Sequence, residues 1–252
     1  RPRILLVGIR DNVDLPNNDN MGAVTEVCLP FTISEFSDLG VDAVKGGYLP
    51  LPTNNYPDIE VVLSDLVDEK FKYGGKTEFY KTDPLNAWQK KIREDPNSGS
   101  VFMKNDTLTE QEYSKHTERV IKRFKYMIKH KEGRIPDELR TKKFSQRRLP
   151  RNWGKKGPTI TTCSLPDDFV HYSQARSLTV REWARLQTFP DWYRFAGKRT
   201  TGGIRRAGNP RESVFDREVP KYTQIGNAVP VQLAYEVGVH FSKILENSKL
   251  ER

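Results

Sequence analysis

Arg176-Ser177-Leu178-Thr179-Val180-Arg181-Glu182-Trp183-Ala184-Arg185-Leu186-Gln187-Thr188-Phe189-Pro190-Asp191-Trp192-Tyr193-Arg194-Phe195 is the stretch on which the reading of this chain turns. Thr179 and, three residues on, Glu182 form the pattern in which a threonine oxygen accepts from a first-turn amide while the glutamate reaches back to the cap. A helix is therefore predicted over 178–189, capped at Thr179. Leu178, Trp183, Leu186, Phe189, Tyr193 and Phe195 read as core positions. Arg181, Glu182, Arg185 and Asp191 sit among them, and charges in a core must be paired. Buried ion pairs are the expectation, with a scaffolding role rather than a catalytic one.

Downstream, Gln224-Ile225-Gly226-Asn227-Ala228-Val229-Pro230 reads as a Gly-Asn turn opening a last helix. That helix is predicted from about Pro230 to Glu246, with Leu233, Val237 and Phe241 on one stripe. Upstream, residues 134–158 are basic and carry Pro136, Pro150 and Pro158, which suits an exposed loop system. A long helix is predicted over 109–131, with Thr109 as cap, Glu110 and Glu112 in the first turn and Gly133 closing it. Residues 74–107 read as loops and short strands, Ile59-Glu60-Val61-Val62-Leu63 as a strand, and Ser64 to Glu69 as the opening of a helix. A short helix is predicted near Ser34–Leu39. Residues 3–10 read as a buried strand whose start at residue 1 leads one to expect a preceding segment.

The 252 residues carry a net charge of +9, and its distribution is uneven. Residues 1–110 hold 12 Lys/Arg against 18 Asp/Glu, 111–160 hold 16 against 5, and 161–252 hold 14 against 10. A basic block of this kind attracts phosphate through counterion release, which suggests a polyanion partner, while composition alone leaves a lysine-rich surface helix or a solubilising loop equally open. The two cysteines, Cys28 and Cys163, are far apart, which argues against a zinc site or a disulfide framework. No metal is expected. No apolar run approaches the roughly eighteen residues of a membrane span, no signal peptide is recognisable, and an intracellular setting is expected.

Arg176-x-Leu178-Thr179-Val180-Arg181-Glu182, continuing Ala184-Arg185-Leu186-Gln187-x-Phe189-Pro190-Asp191-x-Tyr193-x-Phe195, resembles the ninth motif of the DNA (cytosine-5) methyltransferase family nearly residue for residue. Gln224 to Pro230 resembles the tenth motif, and Arg1-x-Arg3-Ile4 is similar to the tail of the eighth, whose Gln would lie just before residue 1. The order of the three, with a long variable stretch after the eighth, also resembles the family. Gln146-Arg147-Arg148 imitates the eighth motif but precedes no apolar strand.

The resemblance implies an α/β S-adenosylmethionine-dependent methyltransferase fold, of which only the C-terminal part is encoded here, with an irregular mixed α+β target-recognition domain. Residues 1–14 would be a strand of the catalytic domain, 15–175 the recognition domain, 176–220 the ninth motif and its connection, and 221–252 the tenth motif and closing helix. The implied reaction is methyl transfer from S-adenosyl-L-methionine to C5 of a flipped cytosine in duplex DNA. By resemblance, Arg3 would bond cytosine O2 as negative charge builds, and Arg1 would order the catalytic loop and a neighbouring phosphate. Asn227 and the Ala228 backbone would meet the methionine end of the donor. Thr161 or Thr162 would touch DNA backbone in a recognition loop, and Arg147, Arg148, Arg151, Lys155 and Lys156, with Lys142, Lys143 and Gln146, are further DNA-contact candidates.

The early motifs of the family are absent from this sequence. No Phe-x-Gly-x-Gly follows a strand, so most of the donor pocket is expected on an N-terminal half. No Pro-Cys-Gln occurs, since Cys28 precedes Leu29-Pro30 and Cys163 lies between Thr162 and Ser164. The chain alone is expected to be inactive and to need a partner half or subunit carrying the nucleophilic cysteine. A bacterial source would suggest restriction-modification in the cytoplasm or nucleoid, and a eukaryotic one a nuclear epigenetic role. The alternatives are an inactive DNA-binding or regulatory relative and, more remotely, a metal-dependent nuclease built on Asp58, Asp68, Glu69 and Lys70.

Overall fold

The computed structural model describes residues 47, 49–51, 57–130, 135–140, 146–153, 160, 168–200 and 219–250. Two compact units divide the chain: one gathers Arg1–Tyr56, Gly154–Gly157 and Val229–Arg252, the other Pro57–Trp153 and Pro158–Ala228. The stretch 176–195 is thus built into the same body as residues 57–153.

That larger unit begins with α1, Ile59–Leu63, where the sequence suggested a strand. Ile59, Val62 and Leu63 are its buried residues, at helical i, i+3, i+4 spacing, and this burial overrides the strand preference of the β-branched side chains. A 3-10 turn, Ser64–Leu66, follows and buries Asp65. Helix α2, Ala87–Arg93, starts where Asn86 accepts from the Gln89 amide at 2.9 Å. The buried Gln89 side chain donates to Val61 O at 2.6 Å and to Ser64 Oγ at 3.0 Å, fastening α2 to the end of α1.

The long helix α3 spans Glu118–Lys129, with Thr117 rather than Thr109 at its cap position. The preceding residues cannot be helical. Glu110 has a φ of 66°, and the Gln111 carbonyl and Tyr113 amide pair with Thr77 and Gly75 across an antiparallel bridge from Lys76 to Glu112. Phe124 and Met127 of α3 pack with Val170, flanked by Val120, Ile128, Ile135 and Ala175. Val170 belongs to β2, Phe169–Val170, which pairs in parallel with β1, Arg147–Arg148.

Helix α4, Val180–Leu186, carries the capping box: Thr179 Oγ1 accepts from the Glu182 amide, and the Glu182 carboxylate accepts from the Thr179 amide at 2.9 Å. It stops short of Phe189 because Thr188 takes a φ of 59°. Helix α5, Lys221–Asn227, replaces the expected Gly-Asn turn: Gly226 lies inside it, buried, and the chain turns extended at Ala228. The Val229-Pro230 pair behind it disfavours further helix.

In the other unit α6, Val231–Leu250, is the last helix. Of its predicted stripe, Val237 and Phe241 are half-buried, Leu233 is exposed, and Ile244 is the buried residue. His240 Nε2 lies 2.7 Å from the Gly47 carbonyl.

Candidate functional site

The four charged residues of the 181–191 stretch lie wholly inside the larger unit. Arg185 is the centre. Its Nε and Nη2 donate to Asp191 at 3.0 and 2.6 Å, its Nη2 also reaches Asp65 Oδ2 at 3.0 Å, and its Nη1 donates to Asp65 Oδ1 and to the Val62 carbonyl. Asp65 is clamped from the other side by Arg93, whose guanidinium stacks 3.8 Å over the Tyr80 ring. Tyr80 in turn donates to Asp191 at 2.6 Å. Arg181 lies 3.8 Å from Asp191 and donates to Thr109 Oγ1 and to the carbonyls of Thr109, Pro190 and Tyr193. Carbonyls and the Thr109 hydroxyl therefore take most of the hydrogen bonds of this guanidinium.

A second knot surrounds Glu182. Arg176 meets its carboxylate with a two-pronged fork at 2.6 and 2.8 Å, and Gln111 donates to it at 3.3 Å. Burial works to raise the Glu182 pKa, but Arg176, His171 and the Thr179 amide hold it down at about 2. The carboxylate is thus charged in the folded chain at neutral pH, in keeping with its place in the capping box. Asp65 and Arg176 were not anticipated as partners. Arg176 stands inside the quoted stretch, whereas Asp65 is 120 residues from Arg185 and carries no local mark of its role.

Two imidazoles face this interior. Burial first, then Arg176, pushes His171 down to about 3 against the pull of Glu182, and burial with Arg199, Arg123 and Arg176 pushes His116 down to about 4. Both are neutral when folded, so the unfolded chain takes up protons first as pH falls below 6.5. The stability they contribute is complete above that pH and declines toward 3 to 4, with Glu182 adding a loss between 4.5 and about 2. The unfolding free energy from urea titration should be flat between about pH 7 and 9 and fall below pH 6.5, with a slope approaching about 1.4 kcal/mol per pH unit for the fully buried His171. A His171→Gln variant should flatten that fall, and a midpoint unchanged between pH 7 and 5 would contradict the assignment.

The predicted DNA contacts divide. Arg147 is exposed on β1, 4.8 Å over the Phe169 ring. Arg148 donates to the Ile128 carbonyl at 3.3 Å, at the C-terminal end of α3. Arg151 pairs with Glu60 and lies 5.2 Å over Tyr172. Arg148 is half-buried, whereas Arg151 is exposed beside Glu60. Gln146 is buried. Arg1, Arg3, Lys142, Lys143, Lys155, Lys156, Thr161 and Thr162, and both cysteines, lie outside the described residues.

Asn227 is exposed at the last position of α5. The Ala228 amide is taken up by Gln224 O and Ile225 O at 3.1 and 3.2 Å, so it is not free to donate to a ligand. Gln187, buried at the end of α4, donates to the carbonyls of Ile225 and Ala228 at 3.1 and 3.4 Å. It ties the ninth-motif stretch to the tenth-motif stretch, a link the sequence reading missed. Asp68 accepts from Thr77 Oγ1 and the Lys70 amide, and Asp58 stands at the cap of α1. Among the described residues no group of three or more His, Cys, Asp or Glu is placed to hold a metal, and no helix is long and apolar enough to cross a membrane.

A family model for the C-5 cytosine-specific DNA methylases matches residues 1–243. The chain is 31% identical over 210 residues to the Type II methyltransferase M.DdeI of Desulfomicrobium norvegicum, a match covering 78% of this chain and 45% of that protein. It is 48% identical over 62 residues to the Type II methyltransferase M.BspRI of Lysinibacillus sphaericus, covering 25% of this chain and 12% of that one. It is 40% identical over 88 residues to DNA (cytosine-5)-methyltransferase 3 of Zea mays, covering 34% and 8%. The chain thus spans less than half the length of these relatives. On the strength of the match over residues 1–243, the chain belongs to the C-5 cytosine-specific DNA methylase family.

Proposed function

We propose that this chain is the DNA-reading C-terminal half of a DNA (cytosine-5) methyltransferase, and that the nucleophilic cysteine and most of the S-adenosylmethionine pocket come from residues outside this sequence. One observation carries the reading: a family match over residues 1–243 in a sequence with no Pro-Cys-Gln. Methylating C5 of cytosine requires a thiolate to add at C6, and neither Cys28 nor Cys163 stands in the required context. The names of the bacterial relatives favour a restriction-modification role for the complete enzyme. The division of labour would follow the sequence, with residues 15–175 reading DNA and residues 1–14 and 221–252 completing the catalytic domain.

S-adenosylmethionine, when bound, supplies the electrophilic methyl group. Of the residues proposed for it, Asn227 fits in kind: it is exposed at the end of α5, and an amide side chain combines the donor and acceptor that the carboxylate and amino ends of methionine would need. The Ala228 amide bonds within the chain and its carbonyl accepts from Gln187, so the Asn227 side chain would be the main contact. Gln187 positions this turn from beneath by fixing the carbonyls on either side of Asn227. Arg3 would donate to cytosine O2, which gains negative charge once the thiolate adds, and Arg1 would steady the loop carrying that thiolate.

The Arg3 assignment makes a direct prediction. In the reconstituted enzyme Arg3→Ala should lower kcat by about 100-fold or more, the usual cost of losing one preorganised donor to a developing anion. Duplex affinity should change little. Turnover near that of the unmodified enzyme would refute the assignment.

A further inference from the structure

Helix α3 has two faces. One, with Phe124 and Met127, is buried against Val170. The other is exposed and carries Lys122, Lys125 and Lys129 at i, i+3 and i+7. Glu118, one turn before Lys122, is the acid on this face, yet none of the three lysines makes an ion pair or hydrogen bond among the described residues. Elsewhere in this unit some exposed and half-buried cations are paired, as Lys76 with Glu78, Arg140 with Asp137, Arg151 with Glu60 and Lys221 with Glu110, and others such as Lys72 and Lys104 are exposed singly; on α3 three share one helix face. Like charges three and four apart on a helix cost a few tenths of a kcal/mol per pair. An uncompensated row of them calls for a partner that supplies the missing negative charge.

The spacing selects the partner. At 1.5 Å rise per residue the row from Lys122 to Lys129 is about 10 Å long. Phosphates of one DNA strand advance about 3.4 Å each along the duplex axis, so the row is about three phosphate steps long. At its end, Arg148 reaches into the C-terminal turn of α3 from β1, and the neighbouring Arg147 is exposed. The charged row therefore leads toward the strand from which a recognition arginine would project.

We propose that the Lys122–Lys125–Lys129 face of α3 is a phosphate-backbone clamp for duplex DNA flanking the target site, a surface that sets affinity and register without reading sequence. This rests on the reading of the chain as a DNA-methyltransferase half.

The test is the salt dependence of duplex binding by the 252-residue chain and by its Lys122→Gln/Lys125→Gln/Lys129→Gln variant. All three side chains are exposed, so the variant should keep its thermal unfolding midpoint. The slope of log affinity against log salt should fall by about 2.7, near 0.9 per lost phosphate contact, and affinity at 150 mM salt at least about tenfold. The triple Lys→Arg variant should restore both. Equal slopes for the parent chain and the Gln variant would overturn the clamp while leaving the methyltransferase reading intact. A parent chain whose binding shows no salt dependence would count against that reading itself. If polyglutamate binding weakened as much as duplex binding, the face would be a general anion surface and the duplex assignment would fall.

Discussion

Replacing Arg185 by Ala should cost about 3–5 kcal/mol of folding stability, the usual consequence of removing one partner from a buried ion network. The magnitude follows from what is left behind. Arg185 bridges Asp65 and Asp191, all three side chains being fully buried, and without it Asp191 keeps only the Tyr80 hydroxyl and an Arg181 contact at 3.8 Å. A domain is stable by about 5–15 kcal/mol, so the variant should be at the edge of folding. Arg185→Lys should not rescue it, since a single ammonium cannot present a planar fork to two carboxylates at once. The measurement is the urea unfolding midpoint, with near-ultraviolet circular dichroism reporting fixed packing. A loss below about 1 kcal/mol would place the network among the weak ion pairs and contradict the account.

Glu182→Gln should be nearly as severe. The substitution keeps the shape but removes the negative charge facing Arg176 and presents an amide donor to a guanidinium that is itself all donor. It also disturbs the bond from the Thr179 amide that starts α4. About 3–5 kcal/mol is again expected, which for a chain of this size lowers the thermal midpoint by on the order of 10 °C. A midpoint within about 2 °C of the parent would show that Arg176 finds other acceptors and that the carboxylate is dispensable.

These two residues also mark how far the sequence could be read. The Thr179–Glu182 pair is a local signature, because a capping box is made by residues three apart, and it reappears atom for atom at the start of α4. The need for charged partners in 181–191 was legible for the same reason: four charges stood among core residues. Which partners they take was not, because Asp65 is brought to Arg185 by tertiary packing. In Ile59-Glu60-Val61-Val62-Leu63 the i, i+3, i+4 apolar spacing was present, but β-branched composition pointed the other way, and burial decided for a helix. The start of α3 was misplaced by eight residues because Thr109 and Thr117 are equally good caps locally, and only the bridge to residues 75–77 excludes the first. Gly226 suggested a turn since glycine tolerates one, whereas it lies buried inside α5.

The same limit governs the candidate site. Arginines 147, 148 and 151 look alike in sequence, yet a carbonyl at the end of α3 holds Arg148, a glutamate and a tyrosine ring hold Arg151, and Arg147 remains exposed. The lysine face of α3 belongs to none of the motifs read in the sequence and becomes visible only when the opposite face is seen to be buried.

The most direct test of the central claim is transfer of labelled methyl from S-adenosylmethionine to cytosine-containing duplex DNA, measured for this chain alone and mixed with the N-terminal half from the same source. The account predicts transfer only in the mixture, with the label at C5 of cytosine. Transfer by the chain alone would contradict it, because the nucleophile would then have to lie within these 252 residues.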